Sequence, residues 1–233
     1  MNILITGANR GLGRVLVDMA AAAGHTVFAG VRNIDSVSSQ LQAMKDRYAS
    51  QIYIIGMDVG DEQSVRDAFY KVSEQEAYLD VLINNAGIIK GRERKIEEVD
   101  FQEFEQVLRI NLMGPMMVVK HFLPLLRKSD NGVIINISSE AGSFANAYGG
   151  DYPYAISKAA LNFFTAQIRN GLKDNGIKAY AVHPGWMRTD MGGASAPLSP
   201  EESAEGIMRI VNREIDLDEE HFFVDHLGRP MPM

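Results

Sequence analysis

Short apolar runs rich in β-branched residues recur along the chain. They lie at Asn2 to Thr6, Thr26 to Val31, Ile52 to Met57, Val81 to Asn84, Val133 to Ile137, Ile177 to His183 and near His221 to Val224. Longer segments of helical period separate them: Leu12 to Ala23, Asp35 to Tyr48, Glu62 to Glu76, Phe101 to Arg127, Tyr154 to Asp174 and Pro200 to Ile210. A strand that is apolar on both faces needs cover on both sides. The alternation therefore predicts repeated βαβ units around a parallel sheet of about seven strands, an α/β doubly wound arrangement with helices on both faces. No repeat or linker interrupts it, and 233 residues suit a single domain spanning 1–233. The one long loop-like stretch, Asp190 to Pro200, is rich in Gly, Ala, Ser and Pro. It is either a lid over a pocket or a flexible connection, and it falls in a candidate substrate loop at about 187–200.

Charge and composition narrow the partners. A net charge of -7 repels nucleic acid and acidic membranes, so a small-molecule ligand is the expectation. No run reaches the length of a membrane span, and MNILITGAN reads as a buried strand, which leads us to expect a cytoplasmic protein. Cysteine is absent, which excludes disulfides and thiolate chemistry. The five histidines lack metal-ligand spacing, so no metal is expected.

The first strand runs into TGANRGLG, where Gly7, Gly11 and Gly13 lead into a helix. A glycine turn there lets a dinucleotide pyrophosphate approach the helix N-terminus. The spacing G-x-x-x-G-x-G departs from the common G-x-G-x-x-G fingerprint, and glycines also serve plain tight turns. At the end of the second strand, an acid would bind adenosine ribose hydroxyls and repel a 2′-phosphate. Here Arg32 stands at that end and Arg10 in the turn, favouring NADP(H) over NAD(H), unless both arginines simply face water. Asp35 lies further on, where it would start the next helix. Asp58, followed by Val59, either meets the adenine amino group or caps a helix, and Asp61 is the better-placed cap. Asn84 to Gly87 gives the fourth strand a polar end, either a ligand contact or a β-turn.

Tyr154 and Lys158 stand four apart, so a helix would project them side by side, and none of the other tyrosines has a lysine at that spacing. An adjacent ammonium favours the phenolate, lowering a pKa that is ordinarily about 10. A chance Tyr-x-x-x-Lys on an amphipathic helix is the plainer alternative.

With TGANRGLG, NNAG and the Ser139, Tyr154, Lys158 set in that order, the chain resembles the short-chain dehydrogenase/reductase family over nearly its whole length, extending to Asn111 in RINLMGP and to Pro184, Gly185 and Thr189 in HPGWMRT. Within it, GGDYPYAISKAALN, PGWMRTDMGG and FVDHLGRPMPM look most like carbonyl reductases of the sniffer and C-factor type. The resemblance implies a Rossmann-type fold. It also implies that Tyr154 donates a proton to a substrate carbonyl oxygen, that Lys158 lowers its pKa and binds the nicotinamide ribose, and that Ser139, or failing it Ser138, hydrogen-bonds the carbonyl. Asn111 would position a water relaying protons to Lys158. Cofactor contacts would come from Gly7, Asn9, Arg10, Gly11, Leu12, Gly13, Arg32, Asp58, Val59, Asn85, Ala86, Gly87, Tyr154, Lys158, Pro184, Gly185 and Thr189. The interval from Ser139 to Tyr154 is about two residues longer than in many relatives, which should alter the substrate entrance and leave the chemistry alone.

The expected activity is NADPH-dependent reduction of an aldehyde, ketone or quinone. A nucleotide-sensing regulator and an NAD-dependent alcohol dehydrogenase are the alternatives. Phe104, Met116, Met117, Phe122, Phe163 and Phe164 exceed one buried stripe, so the helices that carry them either pair in a homodimer or pack on the sheet.

Overall fold

A computed structural model describes residues 1–215, 217 and 220–233. Its strands are β1 Asn2–Thr6, β2 Thr26–Val31, β3 Ile52–Gly56, β4 Val81–Asn84, β5 Val133–Ile137, β6 Lys178–His183 and β7 Phe223–Asp225. Its helices are α1 Gly11–Ala22, α2 Ser39–Arg47, α3 Glu62–Gln75, α4 Phe101–Leu108, α5 Gly114–Leu126, α6 Tyr152–Gly171 and α7 Pro200–Val211. All seven strands pair in parallel in the order β3-β2-β1-β4-β5-β6-β7. The chain reverses its direction of growth between β1 and β4, so a crevice opens there beyond the C-terminal strand ends.

Side chains alternate across the sheet, and both sides are filled. Ile3, Ile5, Val27 and Ile135 join Leu16, Val17, Ile207 and Ile210 of α1 and α7 in one core. Leu4, Phe28, Leu82 and Ile134 meet Val65, Val72, Phe122 and Leu126 of α3 and α5 in the other. Double burial explains why these strands are continuous apolar runs.

Three predicted helices differ in form. The segment expected at 35–48 begins with a 3₁₀ turn at Ile34–Ser36, and Ser38 caps α2 instead. Asp35 therefore lies in that turn and does not start the helix; Asn33 Oδ1 accepts its backbone N–H. The helix at 101–127 is broken by a π turn at Arg109–Met113. Pro115 has no N–H to return to the Asn111 carbonyl, so regular α-helical bonding fails at that point. At Tyr152 the last long helix starts two residues earlier than expected, after Asp151 in a left-handed conformation with φ 49°.

The apolar excess on these helices divides. Phe122 is fully buried, Phe104, Met117 and Phe164 are partly buried, and Met116 and Phe163 are exposed at 43% and 64%. Among the described residues, no helix is long and apolar enough to cross a membrane.

Phe122 packs edge-on against Phe69 at 5.7 Å between ring centroids and does not itself line the crevice. Phe122→Ala should lower stability by about 3–5 kcal/mol, read as a shifted urea midpoint.

Candidate active site

Each strand of the crevice ends in a residue the sequence singles out: Gly7 after β1, Arg32 after β2, Asp58 after β3, Asn85 after β4, Ser139 after β5 and Pro184 after β6. Together they border one cleft of about 1240 Å³, larger than the roughly 300–1,000 Å³ of an ordinary small-ligand pocket. Every predicted cofactor contact lines it: Gly7, Asn9, Arg10, Gly11, Leu12, Gly13, Arg32, Asp58, Val59, Asn85, Ala86, Gly87, Tyr154, Lys158, Pro184, Gly185 and Thr189. Ser138 and Ser139 line it as well.

The glycine turn has the form an anion needs. Gly11 opens α1 at φ 54°, and a Cβ there would meet nothing nearer than Thr189 Cγ2 at 3.7 Å. Arg10, at the N-cap, makes no side-chain capping bond, and no acid occupies the first turn. The free N–H groups and the positive end of the helix dipole thus face the cleft, and a dinucleotide pyrophosphate fits there. Asn9 fastens this turn to the loop after β2 by accepting the Ser38 N–H at 2.7 Å and donating to the Ser36 carbonyl at 3.0 Å. Asn85 does so from β4, donating to the Thr6 carbonyl at 2.8 Å.

Arg10 does not stand free, for it donates to Asp190 at 2.8 Å across the mouth of the cleft. Arg32 is exposed and makes no ion pair among the described residues. Asp61 caps α3, whereas Asp58 Oδ1 accepts the Gly60 N–H at 2.9 Å, closing its own turn.

The loop at 187–200 is folded back on itself. Met187 and Leu198 bridge, and Arg188 donates to the carbonyls of Ala196 and Pro197 at 3.0 and 2.6 Å. Thr189 Oγ1 accepts the Gly192 N–H at 3.1 Å within that loop. Arg92, from the segment after β4, donates to the Met191 carbonyl at 2.8 Å. The loop after Ser139 joins the same rim, because the Asp151 carboxylate accepts the Glu93 N–H and the Tyr148 hydroxyl at 3.0 and 3.1 Å.

On α6, Tyr154 and Lys158 project together, with the ammonium 5.6 Å from the phenol ring centre. The Ser139 side chain faces the Tyr154 phenol within the cleft. Burial raises the Tyr154 pKa above its ordinary value, and only partly do the Ser139 side chain and the Arg92 charge oppose it. This corrects the expectation that Lys158 lowers it: in the protein alone desolvation dominates, and the ammonium is turned to the Ile137 carbonyl at 2.7 Å. Lys158 itself is pushed down to about 8 by burial.

Asn111 stands apart from the other predicted residues, because it is 1% exposed and does not line the cleft. Its side chain brackets Ile88, accepting the N–H at 2.8 Å and donating to the carbonyl at 2.9 Å, and it also donates to Ser157 at 3.0 Å.

Three buried polar residues, Asn136, Asn162 and Thr165, escape the sequence reading. Asn136 accepts from Asn84 and donates to Thr165 of α6, both at 2.8 Å, while Asn162 ties Ser138 and Gly142 to the same helix. A polar residue inside a buried strand was the available signal at Asn136. Gly142 must be bare, since a Cβ there would lie 2.6 Å from the Lys158 carbonyl carbon.

The sequence profile described as short chain dehydrogenase matches residues 1–198. The carbonyl reductase Sniffer of D. melanogaster superposes with a TM-score of 0.91 at 34% identity, covering 100% of this chain and 99% of that one. The NADPH-bound carbonyl reductase from chicken fatty liver gives a TM-score of 0.89 at 31% identity, covering 100% and 98%. C-signal of Myxococcus xanthus is 37% identical over 157 residues, 66% of this chain and 92% of that protein.

The depressed Lys158 sets a stability prediction. Its penalty is fully present below about pH 8 and is relieved as pH climbs toward the unfolded value of about 10.4, so stability contributed by this group rises with pH. Lys158→Met should therefore be more stable than the parent at pH 7, by up to about 3 kcal/mol less the lost Ile137 bond, with the gap narrowing by pH 10. Urea unfolding at the two pH values measures it.

Proposed function

The chain belongs to the short-chain dehydrogenase family, and from that premise we propose that it reduces a carbonyl substrate, an aldehyde, ketone or quinone, to an alcohol with NADPH. The observation that carries this reading is the convergence of Ser139, Tyr154 and Lys158 on one wall of the cleft, with the ammonium 5.6 Å from the phenol ring centre and burial favouring the protonated phenol. A phenol in that state is a loaded proton donor. A nicotinamide bound in the cleft supplies the hydride to the carbonyl carbon. As charge builds on the carbonyl oxygen, Ser139 donates a hydrogen bond to it and Tyr154 delivers its proton. Lys158, with a pKa of about 8, then favours return of a proton to the phenolate and binds the nicotinamide ribose. The carbonyl of Asn111, deprived of a donor by Pro115, holds the water that passes protons to Lys158.

The cofactor preference rests on Arg32 and Arg10. The Arg10–Asp190 pair is about three-quarters exposed on both sides, and such pairs contribute about 0–1 kcal/mol, so a phosphate group competes with it easily. The NADPH in the chicken enzyme, named above, supports the same choice. Residues 1–233 act as one dinucleotide-binding domain with a substrate loop at 187–200, working in the cytoplasm on a small diffusible molecule. Ile156 and Phe163, one stripe on α6, are 47% and 64% exposed and support a homodimer.

Loss of nicotinamide absorbance over a panel of aldehydes, ketones and quinones tests the activity. Turnover with NADPH should vanish in Tyr154→Phe; cofactor binding with no turnover across the panel would favour a regulator instead. Replacing Arg10 and Arg32 together by neutral residues should raise KM for NADPH at least tenfold more than KM for NADH, on the order of one lost phosphate contact. Equal effects would remove the NADP assignment. Sedimentation should give a dimer that Phe163→Asp converts to monomer, and a monomeric parent would end the dimer reading.

A further inference from the structure

The turn that carries Ser139 leaves the sheet at a point where the sheet can no longer hold it. Ile137 is paired with Val182, and the Ser138 N–H still donates to the Val182 carbonyl at 2.8 Å. The next rung would need an N–H from Pro184, which has none, and the Pro184 carbonyl is taken by the Ser203 hydroxyl at 2.6 Å. The turn's two ends are fixed by Asn162, which accepts from Ser138 and donates to the Gly142 carbonyl. Between them the Glu140 N–H needs an acceptor. It finds Nδ1 of His183, the last residue of β6, at 3.1 Å.

We propose that His183 is a positioning residue: neutral, with its proton on Nε2, it accepts the Glu140 N–H at Nδ1 and so fixes the turn that brings the Ser139 hydroxyl to Tyr154. The inference rests on the reductase reading above. Ser139 follows its neighbour directly, since its hydroxyl already accepts the Ala141 N–H at 3.2 Å within the same turn. Ring protonation would place a second N–H against that of Glu140, and the turn would lose its central tie. The groups facing the ring pull in opposite directions: the carboxylates of Glu140 and Asp225 favour the cation, while burial and His226 oppose it. Burial is the largest influence and lowers the pKa, so the neutral, accepting ring persists through neutrality and the tie is lost only below the ordinary imidazole value of about 6.5.

Kinetics of the full chain with NADPH and a carbonyl it turns over, from pH 5 to 8, test this in the parent, His183→Phe and His183→Asn. Phenylalanine fills the site without an acceptor; asparagine offers an oxygen near the Nδ1 position and does not titrate. The expected result is a loss in kcat of about 10- to 100-fold in His183→Phe with KM for NADPH changed less than about twofold, the scale of a misplaced reacting group. In His183→Asn, kcat should recover and the acid limb of the parent should disappear. An unimpaired His183→Phe, or an acid limb kept unchanged in His183→Asn, overturns the proposal. Should a variant fail to fold, imidazole nitrogen NMR of the parent decides by itself: Nε2 protonated at pH 7 supports the assignment and Nδ1 protonated overturns it. Absence of turnover in the parent would sink the reductase reading and this proposal with it, whereas parental turnover with an indifferent His183→Phe sinks this proposal alone.

Discussion

The ammonium of Lys158 has to be held out of water beside a phenol, and much of the local architecture answers to that requirement. Lys158 is 5% exposed, and its Nζ donates to the Ile137 carbonyl. A buried charge is tolerated only with well-placed partners. That carbonyl is free to accept because it points toward β4 just beyond the last β4–β5 pair, Asn84 with Asn136, and the Ala86 N–H on that side goes to Thr6 Oγ1 instead. Helix α6 must then lie close enough to reach it. Gly142 allows the approach by presenting no Cβ, and the buried relay from Asn84 through Asn136 to Thr165 holds the helix against the strands.

The same dryness decides the state of Tyr154. In water an ammonium one turn away would favour the phenolate. In this wall burial is the largest influence on the phenol and raises its pKa against the pull of Ser139 and Arg92. The cleft is nonetheless not hostile to negative charge. The chain carries -7 overall, yet Arg10, Arg32, Lys90, Arg92, Arg109 and Lys158 line the cleft against the acids Asp58, Glu140, Asp151 and Asp190. An anionic ligand repelled by the general surface is drawn to this one concavity.

How much of this could be read in the sequence follows from the range of each interaction. The sheet was legible because double burial writes itself as uninterrupted apolar runs, and the glycine turn because a helix start facing a phosphate needs residues of one kind in a row. Tyr154 and Lys158 were legible as a pair because four residues on a helix is local geometry. The sign of the Tyr154 shift was not, since desolvation depends on what packs around the phenol from elsewhere. Neither was the Arg10–Asp190 pair, joined across 180 residues. The π turn at Asn111 fell between: Pro115 advertised a missing donor, but only the packed structure tells whether a helix kinks, frays or widens there. At Asp35 local reasoning chose the wrong start, because Ser38 is the residue whose hydroxyl can reach back into α2.

Precision at the cleft comes from a common arrangement at the strand ends. Where strands stop pairing, backbone N–H and C=O groups lose their ladder partners and must find others. Here polar side chains from distant segments take the role: Asn9 on Ser36 and Ser38, Asn85 on Thr6, Asn111 on Ile88, Lys158 on Ile137 and His183 on Glu140. Each such bond does two things at once, satisfying a backbone group and fixing the position of the loop that carries a site residue. An apolar side chain of equal size would fill the space and leave the backbone group unpaired, at a cost of about 1–3 kcal/mol. The edge of the sheet is therefore polar for reasons of folding, and the polarity that folding demands is what gives the cleft its donors and acceptors in fixed places.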